Sequence, residues 1–474
     1  MERGGGMLTY SFSEAEKVPL YEQLYCHIKG DILAGRLHAD EKLPSKRSFS
    51  KNLGVSNTTV EAAYGQLVTE GYLYALPKKG FFVSALERQV RSLPTLPKPR
   101  EDVPPAQQEC FVADFLGGSV ATEQFPFSVW LKLLRQVMSS EEEKILLTAR
   151  PAGGLLQLRE AIAAHLRDFR GMQVQPGQIV VGAGAEYLYS VLIQLLGRRS
   201  VYGVEDPGYL RLRLIYEGND VQCRHIPMDE YGVKVKVLED SQAEILHITP
   251  SHHNPTGIVM PARRRYELLD WAAQGAGRYI IEDDYDCEFR LSGKPIPTLQ
   301  SIDAGEKVIY LNTFSQSLAP AFRMSYLVLP EHLARRFYAD LGFYSGTVSC
   351  FEQLTLARFL SEGYFEKHLN RMRNYYRALR DRFVDALRAS PLGARSTITR
   401  EDAGLHFLLT VETKARDEDI IARGAALGLQ LSFLSQYYHD EALRLEHVLL
   451  VKFSSISPDR VEETVRRLCA CFVE

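Results

Sequence analysis

Two serines and an arginine form the group of side chains with the clearest chemistry. Ser315 and Ser317 flank Gln316, and Arg323 follows a few residues later. Apolar runs precede and follow this group, which predicts a buried strand on each side. Hydroxyls and a guanidinium gathered between strand ends can bind a phosphate monoester through charge-assisted hydrogen bonds.

Three further segments place polar or flexible residues where apolar runs end. Residues 182–185, Gly-Ala-Gly-Ala, open a helical pattern, and the free N–H groups of a helix start can hold an anion. Residues 251–257 contain Asn-Pro and Thr-Gly pairs, which by themselves are typical of turns. An acidic run at 282–286 follows a strand-like run, although acidic runs are usually solvated loops. His252 and His253 lack a third ligand nearby, so we expect no metal.

The elements that must position these groups alternate between strand and helix from residue 111 onward. This order predicts a doubly wound, mostly parallel α/β sheet, on which ligands bind at the carboxyl ends of the strands. The predicted strands of the sheet are 179–182, 200–204, 245–249, 279–282, 308–311 and 324–329. The predicted helices are 156–170, 186–196, 351–364 and 375–389, and strand-like segments at 405–411 and 448–453 follow.

Composition describes a soluble globular protein of two or three domains. The chain has 474 residues, 45% of them hydrophobic, and a net charge of −3, so nucleic-acid binding requires a local basic surface. Its seven cysteines are scattered, which favours reduced thiols and a cytoplasmic location over a disulfide framework. No signal peptide or transmembrane run is visible, so we expect neither.

The N-terminal module, residues 14–84, has the pattern of a winged helix-turn-helix. Its first helix is predicted by apolar residues that recur every four positions, Leu20, Leu24, Ile28 and Ile32. Ser45 can cap a second helix that ends at Gly54, and either Ser56 or Thr58 can cap a third. Two strand-like segments around the turn Pro-Lys-Lys-Gly complete a β-wing. Such a module inserts its recognition helix into the major groove of DNA.

The segment 85–110 is predicted to be a linker. It carries five prolines between Leu93 and Pro105 and few apolar residues, which favours an extended, semi-rigid tether.

The motif L-P-S-x-R followed by G-V-S-x-x-T-V resembles the winged helix of GntR-family regulators. The resemblance implies that the residues at or near DNA are Arg47, Ser56, Asn57, Thr58, Thr59, Lys46, Lys78, Lys79 and Gly80. Asn57 stands where family members often carry arginine, so the operator sequence is not predicted. Taken singly, these hydroxyls could serve only as caps and these lysines could simply be solvated.

Residues 313–330 resemble the cofactor loop of fold-type I pyridoxal-phosphate (PLP) aminotransferases, in the form found in MocR-type regulators of the GntR family. The resemblance implies that Asp283 faces the protonated ring nitrogen of PLP and that Asn254 and Tyr285 contact its 3′-oxygen. Tyr209 and Arg211 would line the effector side. The remaining cofactor-binding positions implied are Gly184, Ala185, Ser315, Gln316, Ser317 and Arg323.

Gln316 occupies the position of the family's Schiff-base lysine. A lysine amine is a nucleophile, whereas an amide nitrogen is conjugated to its carbonyl and is not. The chain therefore has no catalytic lysine here, and PLP, if bound, would be held without a covalent link or could have been lost. Ala185 lacks the phosphate-binding hydroxyl usual in the family, and residues 147–151 lack the usual tyrosine. A substitution introduced by engineering is the other explanation of Gln316.

We interpret the chain as a cytoplasmic, DNA-binding transcriptional regulator that acts as a head-to-tail homodimer. Its body, 111–474, would have a large part to about 335 and a small part from 336, and would sense PLP or an amine or amino-acid effector. Arg444 and Lys452 are both candidates for an effector carboxylate. Two alternatives remain: an aminotransferase fused to a DNA-binding head, and a regulator whose body is only a dimerisation scaffold.

Overall fold

The computed structural model of the chain describes residues 8–12, 18–86, 111–117, 120–139, 143–148, 151–291, 296–401 and 404–473. These residues belong to two compact units, a head within 1–107 and a body within 108–474. Most of the predicted linker, 87–110, lies outside the described residues. Among the described helices, none is long and apolar enough to cross a membrane.

The head consists of three helices and a hairpin. Its elements are α1 (Leu20–Leu33), α2 (Lys46–Leu53), α3 (Asn57–Thr69), β1 (Leu73–Leu76) and β2 (Gly80–Val83), with β1 and β2 antiparallel. Ser45 caps α2 by accepting from the backbone N–H of Ser48, and Gly54 ends it in the left-handed conformation at φ +68°. Ser56, and not Thr58, caps α3.

An N-terminal segment that the sequence patterns did not predict packs on the head. Tyr10 stacks on the ring of His27 at 5.2 Å, and its hydroxyl donates to Asp31 at 2.6 Å. The Asn52 side chain donates to the carbonyl of Leu8 at 2.9 Å. Leu8, Tyr10 and Phe12 therefore pack against the head's core.

The body contains thirteen strands and thirteen α-helices within the described residues. The strands are β3 (Ala113–Asp114), β4 (Ile179–Gly182), β5 (Tyr202–Asp206), β6 (Cys223–Asp229), β7 (Gly232–Val233), β8 (Ile245–Ile248), β9 (Tyr279–Asp283), β10 (Val308–Thr313), β11 (Ser325–Val328), β12 (Ser396–Thr399), β13 (Phe407–Val411), β14 (Leu429–Gln430) and β15 (Val448–Val451). The helices are α4 (Phe127–Met138), α5 (Glu143–Leu147), α6 (Leu156–Arg170), α7 (Ala185–Leu196), α8 (Leu210–Gly218), α9 (Val235–Asp240), α10 (Ala262–Ala273), α11 (Leu299–Ile302), α12 (Glu331–Asp340), α13 (Cys350–Ser361), α14 (Tyr364–Arg388), α15 (Asp417–Ala426) and α16 (Val461–Cys471).

Eight strands form the main sheet, in the order β4-β11-β10-β9-β8-β5-β6-β7. Strands β10, β9, β8, β5 and β6 run parallel, whereas β11 is antiparallel to both β10 and β4, and β7 is antiparallel to β6. A smaller antiparallel sheet, β12-β13-β15, forms in the C-terminal part. The prediction of a mostly parallel sheet is confirmed.

Both faces of the main sheet are buried, which explains why its strands are nearly continuous apolar runs. Val180 of β4 packs with residues of α7, α8 and α12 on one face. Its neighbour Val181 packs with α4, α6 and α13 on the other. Helices on both faces leave the ends of the strands as the place where polar loops gather.

Several boundary predictions were wrong, among them those of β5, α13 and α14. The strand predicted at 200–204 is β5, which ends at Asp206. The carboxylate of Asp206 therefore belongs to the strand and not to the loop after it. The helices predicted at 351–364 and 375–389 are α13, which ends at Ser361, and a 25-residue α14 that begins at Tyr364. Gly363, at φ +73°, separates them. The first half of α14 was not predicted, although its buried residues Phe365, Leu369 and Met372 recur at helical spacing.

Candidate functional site

The acidic run at the end of β9 is buried, and its carboxylates have separate partners. Glu282 accepts hydrogen bonds from the first backbone N–H groups of α11, at 2.8 and 3.0 Å. Asp284 pairs with the buried Arg170. Asp286 lies 2.7 Å from Nδ1 of His252. The run is therefore part of the interior, and not the solvated loop that its composition favours.

Asp283, the last residue of β9, has one carboxylate oxygen bonded and one free. Oδ2 accepts from the hydroxyl of Tyr189 and lies 3.5 Å from Nε2 of His247. Nδ1 of His247 contacts the hydroxyl of Tyr216 at 2.7 Å. Oδ1 is buried and has no hydrogen-bond partner among the described residues. A buried carboxylate oxygen without a donor is suited to accept from a ligand N–H.

Burial determines the protonation of the group that holds Asp283. Burial, and then the negative charge of Asp283, raise the pKa of the Tyr189 phenol well above its ordinary value. Tyr189 therefore remains a hydrogen-bond donor at neutral pH and keeps Oδ2 occupied.

Tyr285 and Asn254 lie on the loops that follow β9 and β8. The Tyr285 hydroxyl is 3.3 Å from Nδ1 of His252, the atom that also contacts Asp286. The Asn254 side chain is half-buried and has no hydrogen-bond partner in the part of the chain that the structure describes. His252 and His253 point to different partners, Asp286 and Thr256. No group of three or more His, Cys, Asp or Glu side chains in the described ranges could hold a metal.

The segment after β10 presents hydroxyls and an amide. The hydroxyl of Thr313 donates to Ser315 at 2.9 Å and accepts from Ser325 at 2.8 Å. The hydroxyl of Ser317 is buried without a partner, and the half-buried Gln316 side chain makes no hydrogen bond to the described residues. The hydroxyls and the amide therefore have unused hydrogen-bonding capacity.

Arg323 is held against the start of α7. It adopts the left-handed conformation at φ +46°, and a Cβ built on Gly184 would lie only 2.6 Å from its Nη2. Gly184 itself is at φ +95°, which disfavours side chains independently of space. No side chain caps α7. The guanidinium and the uncapped helix start together form a cradle for an anion.

The effector candidates lie beside this cradle. Nη1 of Arg211 is 3.7 Å from Oε1 of Glu186, whose Oε2 accepts from Arg323 at 3.0 Å. Burial raises the pKa of Tyr209, whose neighbours include Arg211, Glu186 and Asp283. The charges of Glu186 and Asp283 raise this pKa further, whereas Arg211 lowers it.

Lys452 and Arg444 differ in their surroundings. The ammonium of Lys452 donates to the carbonyl of Leu116 at 3.0 Å. Its pKa is lowered first by burial, which outweighs the opposing charge of Asp114, and Arg211 lowers it further. Arg444 forms a surface pair with Glu441 at 3.0 Å. Lys452 is therefore held in the body by the Leu116 carbonyl, whereas Arg444 lies at the surface.

In the head, the predicted DNA-binding residues cluster at the start of α3 and in the wing. The Ser56 hydroxyl contacts those of Thr58 and Thr59, each at 2.7 Å. Lys46 pairs with Glu61 at 2.5 Å. The exposed candidates are Arg47, Ser56, Asn57, Thr58, Lys78 and Lys79, and Gly80 ends the turn at φ +111°.

Sequence reasoning missed four residues of the pocket: Tyr189, His247, Thr313 and Glu186. Tyr189 and His247 give no local signal, because a buried aromatic on a helix and a histidine within a strand are ordinary core features. Thr313 could have been found as a hydroxyl at the end of a buried strand. Glu186, in the first turn of α7, is expected at a helix start for electrostatic reasons alone.

Comparison with known families divides the chain at the same two units. Residues 20–83 match the family described as bacterial regulatory proteins, gntR family. Residues 119–466 match aminotransferase class I and II.

Three curated relatives resemble the chain along nearly its whole length. The uncharacterized HTH-type transcriptional regulator YdeL of Bacillus subtilis is 36% identical, over 96% of this chain and 97% of its own. The probable rhizopine catabolism regulatory protein MocR of Rhizobium meliloti is 30% identical, over 96% of this chain and 94% of its own. The HTH-type pyridoxine biosynthesis transcriptional regulator PdxR of Corynebacterium glutamicum is 32% identical, over 91% of each chain.

Among solved structures, a Pyrococcus horikoshii kynurenine aminotransferase resembles the body. It has a TM-score of 0.66 and 24% identity, and the match covers 77% of this chain and 91% of that one. The similarity shows the fold of the body, that of a fold-type I aminotransferase.

Proposed function

The chain belongs to the MocR-type transcriptional regulators of the GntR family, and from this premise we propose that its body senses PLP, or an amine or amino-acid effector, for the head, and that it binds PLP without a covalent link. The observation that carries the proposal is the buried, unpartnered Oδ1 of Asp283. A ligand with a protonated ring nitrogen satisfies that oxygen, and PLP is the cofactor of the aminotransferase family.

The pocket residues fit such a ligand at three points. Asp283 would accept from the ring nitrogen, and its charge would keep that nitrogen protonated, which lets PLP, when bound, act as an electron sink. Tyr285 and Asn254 would contact the oxygen on the ring. Ser315, Ser317, Arg323 and the start of α7 at Gly184 and Ala185 would hold the phosphate.

Gln316 separates this body from an enzyme. Its amide is not nucleophilic and cannot take a proton from a substrate carbon, so we propose that the chain does not catalyse amino transfer. Its unpaired amide can still donate to and accept from the ligand, because an amide carries both groups. We assign no catalytic residue.

The head is the part of the chain that acts on DNA. The GntR-type winged helix binds DNA. We propose that the protein acts in the cytoplasm as a homodimer whose subunits are arranged head to tail, that the effector side is formed by Tyr209 and Arg211, and that ligand binding changes the spacing of the two heads. The domain limits 14–84, 85–110 and 111–474, with a division near 335, remain part of this proposal.

Titration calorimetry with PLP tests the binding. We expect the wild-type chain to bind PLP and to release it on gel filtration, because nothing at position 316 can trap it. Gln316→Lys should retain PLP and, after borohydride reduction, carry its mass permanently. Gln316→Ala is the matched control and should release PLP on gel filtration as the wild type does.

Three results would contradict the proposal. Absence of PLP binding by both wild type and Gln316→Lys favours a body that is only a scaffold. Keto acid formed from amino acids and PLP faster than without protein favours the enzyme. An operator complex whose mobility and affinity do not respond to PLP or amines in gel-shift titrations removes the sensing role.

A further inference from the structure

We infer that Glu186 is a built-in competitor for Arg323 that weakens the binding of any phosphate group, so that a phosphate ester binds tightly only when its ring also binds Asp283. The inference rests on the proposed function and adds a residue that sets the affinity for the phosphate.

Glu186 already occupies Arg323, the guanidinium that we propose holds the ligand phosphate. It is the second residue of α7, and its Oε2 accepts from Nη2 of Arg323 at 3.0 Å. Its other oxygen is 3.7 Å from Nη1 of Arg211. The same Nη2 of Arg323 lies over Gly184, at the helix start. The carboxylate therefore neutralises the guanidinium that the anion cradle offers.

The pair is exchangeable. The side chains of Arg323 and Glu186 are 50% and 46% exposed, so water can replace either partner at little cost. Arg211 is 70% exposed and provides Glu186 with a second cation within the described part of the chain. The carboxylate can therefore move toward Arg211 when another anion takes Arg323.

A phosphate in the cradle must displace Glu186, because two anions a few ångströms apart repel. Free phosphate has only its own charge with which to do so. A pyridoxal phosphate also forms the bond to Oδ1 of Asp283, and that added binding offsets the displacement. Glu186 thus weakens a general anion cradle, so that tight binding requires contacts at both ends of the ligand.

Titration calorimetry of the full-length chain at fixed ionic strength tests this role with three probes: inorganic phosphate, PLP, and pyridoxal, which lacks the phosphate. We expect Glu186→Gln to raise the affinity for phosphate and for PLP about tenfold each, since removing a like charge near the surface has an effect of that order. The affinity for pyridoxal should not change.

The matched control is Glu217→Gln. Glu217 is a comparably exposed carboxylate on α8 that pairs with Arg213 at 3.6 Å. Its removal should leave all three affinities within about twofold, because exposed pairs of this kind contribute little beyond their own contact. If the Glu186→Gln variant does not fold, Glu186→Ala replaces it in the experiment.

Arg211→Gln gives a further readout. Without its second cation Glu186 should hold Arg323 more tightly, so phosphate affinity should fall, and this fall should shrink when Glu186 is also replaced. An equal fall in both backgrounds would show that Glu186 is not shared between the arginines and would overturn the inference.

Two failures are distinguishable. If the wild type binds PLP but Glu186→Gln leaves phosphate and PLP affinities within twofold, the competitor role is wrong and the proposed function stands. If neither PLP nor pyridoxal binds to the wild type or to any variant, the proposed function fails and the inference fails with it.

Discussion

The two ends of the pocket hold their polar groups in opposite ways. At the ring end, Asp283 and Asp284 are buried and are bonded to phenols or a guanidinium from other elements. At the phosphate end, Arg323 and Glu186 are half-exposed and bonded to each other. The first arrangement is part of the protein's core, whereas the second is replaceable by solvent or ligand.

This difference separates positions that the fold constrains from positions that it does not. Removing a member of the buried ring end destabilises the fold, so those residues serve stability as well as binding. The residue at position 316 has no such structural contact among those described, and glutamine fits there without a partner. The ring end is thus constrained by folding, and position 316 is constrained by ligand chemistry alone.

The largest effect should come from Asp284→Ala. It leaves the buried Arg170 unpaired, and we expect the free energy of unfolding of the body to fall by about 3–5 kcal/mol. Urea denaturation followed by circular dichroism measures this. The control is Glu462→Ala, which breaks an exposed pair with Arg382 at 2.8 Å and should cost less than about 1 kcal/mol. Equal costs would remove the distinction between core and surface.

The second effect is a pH dependence from Glu288, a buried neighbour of the ring end. Burial raises the pKa of its carboxyl from 4.5 to about 7; Asp284 raises it too, while His165 and Arg170 oppose. The unfolded chain ionises this group first, so its contribution to stability falls as pH rises from about 4.5 to 7 and is then constant.

Glu288→Gln should remove that loss. At pH 8 we expect the variant to exceed the wild type in free energy of unfolding by about 3 kcal/mol, and at pH 4 the two should differ little. Denaturation at a series of pH values gives both curves. Parallel curves would show that the carboxyl is ionised in the folded chain across the range.

A smaller effect is expected for ligand binding at Asp283. Asp283→Asn keeps the shape and an acceptor oxygen but removes the charge, so PLP affinity should fall about 30-fold, as for a lost charge-assisted hydrogen bond. Calorimetry measures the affinity and thermal denaturation the stability. An unchanged affinity for PLP would show that the PLP ring does not contact Asp283.

At the phosphate end, Gly184→Ala should cost about 1–2 kcal/mol of unfolding free energy, because its φ of +95° is unfavourable for a side chain. It should also push Arg323 from the helix start and weaken binding of PLP more than binding of pyridoxal. Gly177→Ala, at a site with no atom near the added Cβ, is the control. Equal losses of affinity for PLP and pyridoxal would show that Gly184 does not lie at the phosphate.

The smallest effect should be on stability in Glu186→Gln. The pair with Arg323 is half-exposed, so we expect a change in unfolding free energy below about 1 kcal/mol. A loss as large as that of Asp284→Ala in urea denaturation would show that the two ends are equally structural.

Most elements of the fold were predictable because their signals are local. Both faces of the sheet are buried, so strands such as β4 and β10 appear in the sequence as continuous apolar runs. Capping residues marked α2, and the helix 156–170 was predicted with the bounds it has. The first half of α14 was not predicted, although its buried residues recur every three or four positions.

The residues of the candidate site also divide into those that the sequence could reveal and those that it could not. The segments that carry Asp283, Ser315 and Arg323 could be found by their motifs, since each lies at the end of an apolar run. The partners Tyr189 and His247 could not, since they are 94 and 36 positions from Asp283 and have ordinary core character.

The sequence by itself determined that an amide, and not an amine, stands at position 316, and that a winged helix precedes an α/β body. Those facts depend on residue identity and short-range periodicity. Only the tertiary structure decided which oxygen of Asp283 is free and that one carboxylate, Glu186, lies between Arg211 and Arg323. Such facts depend on the directions of side chains brought together from distant segments, which burial and packing fix only when the chain folds.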